Sequence, residues 1–266
     1  MKTTIGLLTQ HFTTAEALDS FSYTNALLNS PETRPPYCAH FWTTDHTVIL
    51  GMQDQRLPEF NAATASLEEA DYHWFVRNSG GLGIVADSDV LNVSLFLPLE
   101  AAPTIDDGYQ IMTRWIQAAL PELPIEHFEV VGSYCPGTFD LSVSGLKFAG
   151  MAQRRTSHGL VVMAYLSVAG DQQRRGEVMR RFYQQGDAVS VPKRHFPSVD
   201  PSVMVTLATL LKTPLSPAQL ITRLTGAMST SGVELDTSSL PTIISKPPFT
   251  TALETARTDM RERQPH

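Results

Sequence analysis

The run FDLSVSGLKFAGMAQRRTSHGLVVMAYLSV, residues 139–168, decides how the rest of the chain is read. Ser144-Gly145 separates two β-rich segments, 139–143 and 146–153, which is a hairpin signal. Residues 158–168 are almost continuously apolar, the pattern of a strand buried on both faces of a sheet. The longest unbroken apolar run, Leu160 to Leu166, is too short to span a bilayer.

Working outward, strands are expected at 39–43, 47–50, 74–76, 82–86 and 90–97. Thr14 can cap a helix reaching Leu28, and residues 67–70 look helical. Thr104, followed by Asp106 and Asp107, opens a helix with Ile105, Tyr109, Met112, Ile116 and Leu120 at inward spacing, closed by Pro121 and Pro124. A polar helix is expected over 171–184, a proline-bearing loop over 187–197 and a helix over 203–212. Ser216-Pro217-Ala218-Gln219 joins a capping box to a proline at the first helical position. From 229 to 251 the Ser/Thr/Pro-rich chain reads as irregular, and the charged remainder as a frayed helix. Strands mixed with helices, without regular βαβ alternation, indicate an α+β or mixed α/β fold. The expected organisation is a catalytic domain over 1–195 and a helical extension over 196–266 packed on the same domain.

Two cysteines without a CxxC pair, and an N-terminus with no sustained apolar stretch, favour a cytoplasmic protein. The net charge of −7 argues against nucleic acid as a partner. That charge is uneven. Between Lys147 and Arg194 nine Lys/Arg face three acids, so this stretch is basic and the remainder strongly acidic. Such a stretch is either solvated helix surface or a patch that docks an acidic protein. The histidines His11, His40, His46, His73, His127, His195 and His266 show no metal-ligand spacing, so no metal and no cofactor is expected.

The chemistry gathers around Cys135, in Gly132-Ser133-Tyr134-Cys135-Pro136-Gly137-Thr138-Phe139-Asp140. A thiol in a turn bounded by glycine and proline sits on rigid backbone and can stay open to substrate. Lys147 follows twelve residues later across the hairpin, and a nearby ammonium favours the nucleophilic thiolate. A second motif, Arg77-Asn78-Ser79-Gly80-Gly81-Leu82-Gly83, places adjacent glycines where backbone N–H groups can face an oxyanion. It has neither the GxGxxG spacing of a dinucleotide site nor the Lys-Ser/Thr of a P-loop. Taken alone, a glycine hairpin between strands explains it as well.

Together, Arg77-x-x-Gly80-Gly81, Leu91-Asn92-Val93-Ser94, Asp140-Leu141, the Gly145-x-Lys147-x-x-Gly150-x-x-Gln153-Arg154 run and His158-Gly159 resemble the lipoate–protein ligase and octanoyltransferase family. The resemblance covers roughly residues 10–185. It implies a sheet-based catalytic domain related to biotin ligases, a lysine-acylating activity and a tunnel for an acyl chain. The Cys135 run is similar to the branch that moves octanoyl from glycine cleavage H protein to lipoyl domains of 2-oxoacid dehydrogenases. By that resemblance Cys135 is the nucleophile and Lys147 orients the carbonyl and exchanges protons. Arg77, Gly80, Gly81, Leu82, Ala149, Gly150 and His158 become candidate substrate contacts, with Leu82 and Ala149 against the acyl chain. Many ligases carry a histidine where Ala86 stands and a second arginine where Asn78 stands, so adenylate binding is not expected. The alternatives are a transferase using octanoyl-acyl-carrier protein, an ATP-dependent lipoate ligase, and a non-catalytic acyl- or lipoyl-domain-binding protein.

Overall fold

The computed structural model describes residues 3–265. In chain order it contains β1 (Thr4–Phe12), α1 (Asp19–Asn29), β2 (Cys38–Thr44), β3 (Thr47–Leu50), α2 (Phe60–Glu68), β4 (His73–Val76), β5 (Ile84–Ala86), β6 (Val90–Leu97), α3 (Ile105–Ala119), β7 (Glu126–His127), β8 (Leu141–Val143), β9 (Leu146–Thr156) and β10 (Gly159–Ser167). After these come α4 (Gln172–Gln185), α5 (Leu207–Leu211), α6 (Pro217–Thr230), β11 (Glu234–Asp236), α7 (Ser239–Ile244) and α8 (Pro247–Glu262). An eight-stranded sheet has the order β11-β1-β2-β6-β10-β9-β8-β7, and β4-β3-β5 form a second, smaller sheet. In the large sheet β1 runs parallel to both neighbours and every other pair is antiparallel, so the sheet is mixed.

The apolar 160–166 run forms β10, hydrogen-bonded to β6 on one side and β9 on the other. Because both sheet faces are covered, its side chains are buried whichever way they point, except half-buried Met163. On one face α3 and α6 lay Met112, Ile116, Leu220 and Leu224 against Leu91, Val93, Val162 and Ala164. Trp115 Nε1 in α3 also donates to the Leu224 carbonyl at 2.9 Å. On the other face α1 and α8 press Leu27, Leu28, Leu253 and Ala256 onto Leu8, Cys38, Phe96 and Val161. A third cluster, built from α2, α4 and the small sheet, closes around Trp42, Tyr165, Met179 and Phe182. Each large aliphatic or Phe side chain among them contributes roughly 1.5–3 kcal/mol by leaving water.

Several expectations need correction. The α3 capping box is present, but Ile105, at the first helical position, points outward and is 57% exposed. The helix expected over 203–212 shortens to α5, since Lys212 turns left-handed and 201–203 form a separate tight turn. The short 67–70 helix is the end of the longer α2. Residues 229–251 are mostly ordered: β11 adds to the sheet beside β1, α7 follows, and Pro247 starts α8. Hydroxyls such as Thr250 and Thr251 bond back to the Pro247 carbonyl and so fit inside the helix instead of breaking it. The charged segment after 251 is held, not frayed. Arg257 grips both carboxylate oxygens of Asp19, and the Gln264 amide accepts from the Val76 N–H (2.8 Å) and donates to the Val76 carbonyl (3.0 Å). Residues beyond 195 contribute to all three apolar clusters. No helix among the described residues is long and apolar enough to cross a membrane.

Candidate active site

Cys135 lies in the segment joining β7 to β8, with φ of +47°. That left-handed backbone is uncommon for a residue with a Cβ, and its surroundings hold it in place. Lys147 does most of the holding. Its Nζ donates to Ser133 Oγ (3.1 Å), the Tyr134 carbonyl (3.0 Å) and the Cys135 carbonyl (2.9 Å), and pairs with Asp140 Oδ1 at 2.9 Å. Asp140 Oδ2 in turn accepts from the N–H groups of Val130 and Gly137. Lys147 and Asp140 are both 1% exposed, so this pair has little water to share. Burial pushes the Asp140 carboxyl upward, against the pull of the Lys147 charge. The ammonium also stands 5.8 Å from the ring centre of Tyr165.

A β-bulge puts Lys147 there. The β8–β9 pairing slips between Leu141, opposite Ala149, and Ser142, opposite Lys147. Phe148 and Ala149 consequently both enter the core under α3 and α6, while Lys147 and Gly150 serve the cysteine side. In a strictly alternating strand, Lys147 and Gly150 would face opposite ways.

The other wall is the β4–β5 loop. Leu82 N–H donates to Cys135 Sγ at 3.3 Å, and Arg77 Nη2 stands 3.9 Å from the same sulfur. Both would donate to negative charge on sulfur. Arg77 Nη2 also bonds the carbonyls of Gly80 and Leu82, so the guanidinium shapes the loop as well as facing the thiol. Gly81 has φ of +92°, and a Cβ there would come within 2.6 Å of Arg77 Nη2 and 3.3 Å of Cys135 Sγ. Only glycine fits between those two groups.

Behind this loop sits a network whose members are far apart along the chain. Asp54 is fully buried; it accepts from Gly51 N–H (2.7 Å) and from the Tyr183 hydroxyl (3.0 Å), which accepts from Gly83 N–H (3.3 Å). Burial pushes the Asp54 carboxyl up to about 7, opposed by these hydrogen bonds and by Arg77. Since the folded value lies above the ordinary 3.8, the stability this group contributes is fully present below pH 4 and fades as pH rises through 7. Asp54→Asn is therefore expected to flatten the fall of Tm with pH between about 4 and 7, measured by thermal unfolding. An unchanged slope would refute this role.

Cys135 opens onto a slot lined by Phe21, Trp42, Ile84, Ala152, Met163 and Tyr165, with Gly150 at its floor, enclosing about 440 Å³ with its open mouth included. Three buried polar atoms in its wall, Arg77 Nε, Ser79 Oγ and Asn92 Nδ2, have no hydrogen-bond partner among the described residues.

The structure thus brings together Cys135, Lys147, Arg77, Gly81, Gly150 and the main chain of Leu82. The Leu82 side chain is buried in the same apolar cluster as Trp42 and Tyr165 but is not part of the slot lining. Ala149 is a correction: it lies in the core on the opposite sheet face, and Gly150 and Ala152 line the slot instead. His158 is another. It is exposed at the β9–β10 turn, its N–H on Thr156 Oγ1, about 20 Å along the strand from Gly150 by strand rise. Gly80 faces away from the slot, toward a separate depression. Sequence reasoning missed Ser133, Asn92, Tyr165, Asp54 and Tyr183. No group of three or more His, Cys, Asp or Glu able to hold a metal occurs among the described residues; His266 lies outside them.

Residues 16–229 match the family described as lipoyl protein ligase A/B catalytic domain. The chain belongs to that family. It is 43% identical over 199 residues to an octanoyl-[GcvH]:protein N-octanoyltransferase of Oceanobacillus iheyensis, covering 73% of this chain and 71% of that one. It is 40% identical over 205 residues to a lipoyl-[GcvH]:protein N-lipoyltransferase of Listeria monocytogenes, covering 76% and 74%. In fold it is similar to protein Ta0514 of T. acidophilum, solved with bound lipoic acid, with a TM-score of 0.66 and 15% identity over 97% of this chain and 96% of that one. The mixed sheet and its flanking helices are thus the fold that this family shares.

Proposed function

We propose that this chain is an acyltransferase that moves an octanoyl group from the lysine of octanoylated glycine cleavage H protein to a lysine of lipoyl domains of 2-oxoacid dehydrogenases, without ATP. The observation that carries this reading is the Cys135 thiol at the mouth of an apolar slot, with the Leu82 N–H and the Arg77 guanidinium aimed at its sulfur. The names of its relatives at about 40% identity support the octanoyl donor and the H protein.

In this reading the Cys135 thiolate attacks the carbonyl carbon of the octanoyl-lysine amide. The C–N bond breaks, the amine leaves with a proton from Lys147, and a thioester remains on sulfur. A lysine of the second protein then attacks the thioester, the C–S bond breaks, and its proton returns to Lys147. Leu82 N–H and Arg77 stabilise the oxyanion, each such donor being worth roughly 2.7–4 kcal/mol. The unpartnered Ser79 Oγ and Asn92 Nδ2 gain partners when a polar acyl-lysine group enters. Donor and product are both N-acyl-lysines, so the exchange is close to thermoneutral and reversible.

The test is intact-mass spectrometry of the enzyme mixed with octanoylated H protein, with no nucleotide present. An octanoyl adduct that maps to Cys135 and disappears when an acceptor lipoyl domain is added is the expected result. Acylation of the acceptor that requires ATP and leaves no adduct would overturn the proposal.

A further inference from the structure

Gly80, in the glycine loop, does not line the acyl slot. It borders a second depression, lined by Met52, Gln53, Arg56, Lys193, Arg194, His195 and Phe196, of about 870 Å³ counting its open side. Arg56, Lys193, Arg194 and His195 are exposed and form no ion pair among the described residues, and no acid lines the depression. The contrast with other cations of the basic stretch is sharp: Arg175 is paired with Asp87, Arg180 with Glu177 and Arg181 with Glu69. In a chain with net charge −7, three uncompensated cations with a histidine beside them make a local positive field. Met52, 44% exposed, and Phe196 add apolar surface among them.

Position makes this charge relevant. Gly80 adjoins Gly81, where an added Cβ would lie 3.3 Å from the Cys135 sulfur, so the depression starts roughly 4–8 Å from the nucleophile by chain spacing. A lysine side chain reaches little farther than that. Any folded protein presenting an acylated lysine to Cys135 must therefore rest its neighbouring surface over this rim, since a specific interface covers about 800 Å² per partner.

We propose that the Arg56–Lys193–Arg194–His195 depression is the docking surface for a carboxylate-rich face of the protein that carries the acyl-lysine. This rests on the acyl transfer proposed above. Charges at an interface rim act mainly on association rate and salt dependence, so that is where the effect is to be sought. The variant is Arg56→Glu/Lys193→Glu/Arg194→Glu. With octanoylated H protein as donor, kcat/KM for Cys135 acylation is expected to fall roughly tenfold or more, mostly through KM, and its decline with added salt to vanish. With a small octanoyl thioester as donor, acylation of Cys135 should be unchanged, which also shows that the variant is folded. The conservative variant Arg56→Lys/Lys193→Arg/Arg194→Lys should behave as wild type. An unaltered KM and salt dependence toward the protein donor would overturn the docking surface. If wild type is not acylated by either donor, the transfer mechanism itself has failed. Docking is then judged alone, from salt-dependent binding of H protein to wild type and to the charge-reversed variant.

Discussion

Cys135→Ser is expected to abolish transfer, lowering its rate by at least roughly three orders of magnitude, while leaving the fold intact. The slot contains no histidine to serve as a base, so a hydroxyl placed there has nothing to activate it. A thiol needs no such partner, because the Arg77 guanidinium and the Leu82 N–H already face the charge it would carry. Serine is nearly the same size and inherits the same left-handed turn, so thermal stability should stay within about 1 kcal/mol of wild type. Single-turnover acyl transfer and Tm on one sample give both readouts. Transfer persisting in Cys135→Ser at more than a few per cent of wild type would eliminate sulfur as the acyl carrier.

Lys147→Met should be the most destabilising single change at the site. It strands the buried Asp140 carboxylate and removes the donor shared by Ser133 Oγ and the carbonyls of Tyr134 and Cys135. Breaking one side of a buried ion pair costs about 3–5 kcal/mol, visible in denaturant unfolding. The loop it tethers should also drift, so transfer should fall even in the folded fraction. Asp140→Asn added to Lys147→Met removes the stranded charge and should restore part of the stability but none of the turnover. A cycle over the four proteins separates the two effects. Equal losses for Lys147→Met and the double variant would mean that the pair is not what holds the loop.

How far the sequence could be read depends on how local each feature is. The strand Leu160–Leu166 declares itself by its own residues, because burial on both faces writes an unbroken apolar run. Cys135 and Lys147 were legible from a family pattern and a hairpin. The bulge at Leu141/Ser142 was not: it leaves no mark on composition, yet it shifts which residues share a face, and so Ala149 and Gly150 exchange the roles alternation suggests. Asp54 and Tyr183 are 129 residues apart and meet only through the packing of α4, so no window along the chain contains both. The helix α8 could have been found. Phe249, Leu253, Ala256 and Met260 recur at helical spacing after Pro247, but the surrounding hydroxyls and prolines read as loop.

The amide of Gln264 clasps the backbone of Val76, the residue immediately before Arg77, from 188 positions downstream. The consequence concerns timing. A ribosome completes the glycine loop, the cysteine and the lysine long before it reaches Gln264, so a nascent chain holds all the reactive groups while the base of one wall is still unclasped. The clasp on Val76 comes from a residue just beyond α8, so this support of the Arg77 loop is laid down after the groups it stands behind.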